Sequence, residues 1–156
     1  MNPYHPIRIK VILILAAAVI GCPLQEWISI PAVADENPVI IIASPDVFES
    51  TLSQKDIRDI FLGKKRKWTD GKEIVLAVMY QTEIHEKFTE QYTRKTSTQF
   101  MTYWKHMVFV GQGRFPKSIS TEEEMIDYVE NASGVIGYVS HLPADGKRVK
   151  QISLSD

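Results

Sequence analysis

Two hydrophobic patterns alternate along this chain: short, β-branched apolar runs, and stretches in which apolar residues return every three or four positions. PVIIIAS, residues 38–44, is a continuous run that predicts a strand buried on both faces. In LSQKDIRDIFLGK, Ser53 stands as a helix N-cap with Asp56 three residues on, Leu52 is placed to pack on Ile57, and Gly63 ends the helix. Trp68 and the turn Thr69-Asp70-Gly71-Lys72 then lead into EIVLAVM, residues 73–79, a second apolar strand. From Thr82 the spacing changes. Ile84, Phe88 and Tyr92 share one helix face, and Phe100, Trp104 and Met107 form a second helical stripe whose aromatics are expected in the core. Residues 108–119 read as a loop, TEEEMIDYVEN as a helix with three glutamates in its first turn, GVIGYV as a third strand and VKQISL as a short edge strand.

The order strand, helix, strand, several helices, strand predicts the α/β class: a small, mostly parallel sheet covered by helices. No internal repeat interrupts it. In such sheets ligands collect beyond the carboxyl ends of the strands, which directs attention to the loops after Ala43, Met79 and Val139. Ser44 and Thr82 put hydroxyls there, and a hydroxyl beside the N–H groups of a helix start can receive an oxyanion. Ser133 and Gly134, in ASGVIGYVS, add a tight turn into the third strand. Each residue also has a structural alternative, as a cap, a turn or a point of close backbone approach.

Composition fits one globular domain: 156 residues, 44% hydrophobic and 24% charged. The first thirty-four residues differ from the rest. Arg8 and Lys10 precede the apolar run from Val11 to Leu24, and PAVA before Asp35 resembles a cleavage site, so residues 1–34 read as a signal peptide and residues 35–156 as a single exported domain. The run is shorter than the roughly 20 residues that span a bilayer as a helix. Cys22, the sole cysteine, lies in VIGC, a site that resembles those cut and acylated in bacterial lipoproteins. Cleavage after Ala34 removes the thiol, whereas cleavage before Cys22 leaves a lipidated tether. Either way the domain carries no disulfide.

With a formal net charge of −1 the chain is no general polyanion binder, and the basic run Lys64-Lys65-Arg66-Lys67 reads as a solvated loop rather than a nucleic-acid patch. His85, His106 and His141 lack metal-ligand spacing, so neither metal nor cofactor is expected. There is no G-x-S-x-G turn, and Gly111-Gln112-Gly113 is neither a P-loop nor a dinucleotide fingerprint. Asn131-Ala132-Ser133 matches a glycosylation sequon, a pattern common by chance. A hydrolase built on His85 with Glu83 or Glu86 rests on sequence proximity alone.

Taken together, LSQKDIRDIFLGK, the WTDG turn, WKHMVFVGQG, Pro116 and ASGVIGYVS resemble the periplasmic phosphate-binding proteins of ABC transporters, from about Pro38 to His141. The similarity is strongest to a short, single-lobe group of that family. It implies one lobe of a type II periplasmic binding protein, a non-enzyme that holds phosphate or another small oxyanion and works with an ABC permease or other envelope protein. The family's ligand stretch carries Arg, Asp and Ser-Gly-Thr after the strand that matches EIVLAVM. Here the resemblance sets Thr82, Glu83 and Ile84 at the Ser-Gly-Thr positions, with Val78 and Tyr80 where arginine and aspartate are expected. Glu83 thus brings negative charge to a place meant for an anion, and a bidentate arginine is missing. Two readings follow: a transport-associated oxyanion binder, or an interaction or sensory module that kept the lobe and lost the ligand. Two copies pairing as a homodimer would rebuild a closing cleft, a matter the sequence leaves open.

Overall fold

Hydrophobic runs become strands and periodic stretches become helices, in a computed structural model that describes residues 38–144 and 146–155. The leader, both cleavage sites and Cys22 lie outside the described residues. The described elements are β1 (Ile40–Ala43), β2 (Thr51–Ser53), α1 (Gln54–Phe61), β3 (Val75–Val78), α2 (Glu83–Phe88), a π-helical segment (Thr89–Thr93), α3 (Ser97–Phe109), β4 (Lys117–Ser118), α4 (Glu122–Asn131), β5 (Val135–Val139), β6 (Lys150–Gln151) and β7 (Ser153–Ser155).

Local chemistry explains the helix starts. Ser53 caps α1 in a full capping box with Asp56, and Thr96 does the same for α3 with Gln99. Thr82 and Thr121 cap α2 and α4 through single side-chain bonds to His85 N–H and Glu124 N–H. At the end of α1, Gly63 takes φ +67° and lies against the Trp104 ring.

The main sheet has the order β4-β3-β5-β1-β6, and β2 pairs with β7 in a second small sheet. The pairings β3 with β4, β3 with β5 and β2 with β7 are parallel, as expected of an α/β lobe. β1 runs against both β5 and β6, which makes the sheet mixed. β1 lies between β5 and β6 rather than next to β3. The consequence is spatial: Ile40 pairs with Val139 and Ala43 with Ile136, so the loop after Ala43 lies at the amino end of β5. The loops after Met79 and Val139 lie at the opposite end. β2 and β4 had no counterpart in the sequence pattern, and the helix expected through Tyr92 finishes as the π-helical segment.

Helices and sheet enclose one aromatic core. Phe88 stacks on Tyr138 at 4.0 Å between ring centroids and 6° between planes, and Phe61 meets Phe88 edge-on at 4.5 Å. Stacked and edge-on arrangements such as these add on the order of 1 kcal/mol per pair beyond area burial. Trp104 Nε1 donates to the Phe61 carbonyl and Tyr103 Oη to that of Leu62, fastening α3 to the end of α1. Sheet, helices and core all belong to the unit Ala34–Asp156. Among the described residues no helix is long and apolar enough to cross a membrane.

Candidate functional site

At the carboxyl ends of β3 and β5, Thr82, Glu83, Ile84, Lys87, Glu122 and Ser140 line a cleft of about 210 Å³. The strand ends bring these residues together. β3 leaves through Met79 and Tyr80 into Gln81, whose φ of +64° turns the chain so that Thr82 can start α2. β5 leaves directly into Ser140, and α4 begins with Glu122.

Thr82 Oγ1 donates to the Met79 carbonyl at 2.8 Å and accepts from His85 N–H at 3.2 Å. It therefore joins the strand end to the first turn of α2. Glu122 accepts from Ser140 N–H at 2.6 Å and from the Ser140 hydroxyl at 2.8 and 3.0 Å. The carboxylate thus receives the donors at the end of β5. Lys87 brings a cation to the cleft, 3.5 Å from Glu83. His141 Nδ1 stands 3.3 Å from Glu122 and 3.2 Å from Ser140 Oγ. Because serine and glutamate face the same ring nitrogen, the imidazole cannot relay a proton from one to the other, as a triad requires.

Behind the cleft, Tyr138 reaches from β5 to both neighbours. Its hydroxyl accepts from Met79 N–H at 3.0 Å and lies 2.5 Å from His85 Nδ1. His85 is fully buried, and burial lowers its pKa to about 4, so the ring is neutral at pH 7 and shares a hydrogen bond with the phenol through Nδ1. Burial also raises the Tyr138 phenol above its ordinary value and pushes Tyr80 up to about 12. The trio is a pillar that fixes the strand exit. His85 does not line the cleft, which removes the geometric basis for a hydrolase built on it.

The other sequence-derived residues sit at the opposite end of the sheet. Ser44 is buried, donates to the Ala132 carbonyl at 2.6 Å and accepts from Val135 N–H at 3.0 Å. The Ser133 hydroxyl and Gly134 N–H both donate to Asp46, which also pairs with Lys72 at 3.2 Å. Those donors hold the Asp46 carboxyl down at about 2, the Ser133 hydroxyl first among them. Trp68 Nε1 donates to the Gly134 carbonyl at 3.0 Å. The four residues are therefore two groups: Ser44, Ser133 and Gly134 together, and Thr82 apart. Glu122, Ser140 and Lys87 were not singled out from the sequence. The strand-end rule could have found Ser140, which follows Val139, but nothing in the sequence pairs it with Glu122. Among the described residues no cluster of three or more His, Cys, Asp or Glu side chains could hold a metal ion.

No family model matches the chain, and no curated protein matches it by sequence. Solved structures do match by fold. PstS from Borrelia burgdorferi aligns with a TM-score of 0.59 at 15% identity, over 76% of this chain and 47% of that one. A possible phosphate binding protein from Planctomyces limnophilus aligns at 0.57 and 14% identity, over 77% and 42%. An ABC-type phosphate transport receptor from Vibrio cholerae aligns at 0.51 and 12% identity, over 76% and 46%. This chain is thus similar in fold to part of phosphate-binding proteins and spans less than half the length of each.

Proposed function

We propose that this chain is a solute-binding-like protein of the periplasm, associated with phosphate ABC transport, which holds a small oxyanion in the cleft at Thr82. The observation that carries this reading is the shared fold, with a cleft at the strand carboxyl ends where such sheets receive ligands. Lys87 supplies a cation, and the Thr82 hydroxyl meets an anion by turning from the Met79 carbonyl to which it donates. Glu83 and Glu122 oppose a fully ionised guest, yet as acceptor-only groups they favour one that brings its own proton. Phosphate retains a proton at neutral pH and sulfate does not. The reading therefore includes a preference for phosphate over sulfate. It assigns no catalytic step.

Calorimetric titration of residues 35–156 tests it. Heat with phosphate, none with sulfate, and loss of the phosphate heat in Thr82→Ala are the expected results. Absence of heat and of thermal shift with both anions would overturn the reading.

A second reading is favoured by one feature, the capture of the Ser140 donors by Glu122. On that reading the lobe is filled by its own carboxylate and serves as an interaction or sensory module for an ABC permease or another envelope protein. Glu122→Gln separates the two. Removing this charge raises phosphate affinity by about tenfold or more if the cleft is a ligand site, and changes nothing if the module acts through protein contacts alone.

A further inference from the structure

We propose that the paired loops at the end of α1 and the end of α3 form a docking face for an anionic phospholipid surface. The two loops are joined by packing and by hydrogen bonds. Gly63 and Gly113 approach the Trp104 ring from the two loops, leaving room for no side chain at Gly113, where an added Cβ would stand 2.9 Å from the ring. Arg66 donates to the Gly63 carbonyl at 2.9 Å and, across the gap, to that of Gln112. The loops therefore present one surface.

That surface carries aromatic side chains and cations in an arrangement the core does not need. Phe109 is 89% exposed and Phe115 47% exposed, whereas Phe61, Phe88 and Phe100 are fully buried; Phe48, on the loop after β1, is the other exposed phenylalanine. Lys64, Arg66, Lys67 and Arg114, all exposed, flank Phe109 and Phe115. The surrounding sequence is free of acid: no Asp or Glu occurs in residues 60–69 or 91–121 of a chain whose formal net charge is −1. Asp56 and Asp59 pair with Lys65 and Lys64 on the α1 side, so Arg66, Lys67 and Arg114 are the cations that give the face its charge.

Charge complementarity and chemistry select the occupant. Phenylalanine rings flanked by Lys and Arg suit a lipid interface, where rings enter the acyl boundary and cations meet anionic headgroups. The leader expected at residues 1–34 would also carry the chain to a membrane during export. A basic and aromatic patch supplies the kind of second, reversible contact that a single lipid anchor requires for stable attachment.

Residues 35–156, which contain the whole described sheet and core, are sedimented with vesicles of phosphatidylcholine containing phosphatidylglycerol and with vesicles of phosphatidylcholine alone. Binding is expected only to the anionic vesicles. The double variant Lys67→Gln, Arg114→Gln should weaken it about thirtyfold, at about fivefold per cation, and Phe109→Ser should weaken it several-fold at unchanged melting temperature. Equal binding to both vesicle types, or anionic binding unaltered in these variants, overturns the proposal. So does concentration-dependent self-association that Phe109→Ser abolishes without any vesicle binding, since the face then belongs to a second copy of the chain.

Discussion

The two ends of the central sheet use the same residue types to opposite effect. At the amino end of β5, Ser44, Ser133 and Gly134 meet Asp46, Trp68 and Val135 in a network that consumes their hydrogen-bonding groups internally. At the carboxyl end, Thr82 and Ser140 stand at the rim of a cleft, tied to the chain by bonds that leave an open volume between them. A serine at a strand end is therefore not informative by itself. What decides its role is the direction of the strand: β1 runs against β5, which carries Ser44 away from the ligand-accepting end. Both ends also hold a carboxylate against serine donors, Asp46 in one case and Glu122 in the other. Of the two carboxylates Asp46 is the more open to solvent and serves to fix the turn into β5, whereas Glu122 lines the cleft.

The sharpest way to break this contrast is to damage the enclosed end. Gly134 has φ +70°, and an added Cβ would stand 2.5 Å from the Glu73 carbonyl oxygen. Gly134→Ala combines left-handed strain with a backbone overlap that no side-chain rotation relieves. We expect a loss of at least about 3 kcal/mol in chemical denaturation. A loss under about 1 kcal/mol would mean that the turn yields and that the enclosed end is less fixed than its bonds imply.

Hydroxyl removal at each end sharpens the contrast next. Ser44→Ala leaves a buried N–H at Val135 and a carbonyl at Ala132 without their partner, which should cost about 2 kcal/mol. Thr82→Ala removes a helix cap whose first turn retains the His85 N–H bond to the Thr82 carbonyl, and should cost about 1 kcal/mol. The functional effects are expected in the reverse order: Ser44→Ala leaves anion titration unchanged once the protein is folded, and Thr82→Ala removes it. Equal effects on binding would erase the distinction between the two ends.

Much of this architecture was legible in the chain. The Ser53–Asp56 capping box, Thr82 as a cap, the apolar runs that became β1, β3 and β5, and the aromatic stripe of Phe100 and Trp104 all depend on near-neighbour chemistry that sequence displays. The direction of β1 was not legible, because an apolar run buried on both faces reads the same whichever way it runs. Nor was the pairing of Glu122 with Ser140, eighteen residues apart in sequence, since three successive glutamates gave no reason to choose the one that reaches β5. The brief strands β2 and β4 escaped for a related reason. Three and two residues are too few to establish a period, and their partners, Ser153–Ser155 for β2 and Ala77 and Val78 for β4, are distant in sequence.

The smallest expected effect isolates the carboxylate at the enclosed end. Asp46 has its pKa lowered to about 2, so its bonds contribute stability above the ordinary carboxylate value, and that contribution is lost as pH falls from about 4 through about 2. Its carboxylate is partly open to solvent, which screens the interaction and limits the contribution to on the order of 1 kcal/mol. His85 acts over a higher window. The unfolded chain takes up a proton near the ordinary histidine value of 6.5 and the folded chain holds it off until about 4, so stability also falls as pH drops between those values. Because the two windows are offset, unfolding free energy measured against pH in the wild type and in Asp46→Asn should differ in slope below about 4 and run parallel between about 4 and 6.5. Parallel curves over the whole range would assign the acid sensitivity to the core behind the cleft and leave Asp46 a surface charge.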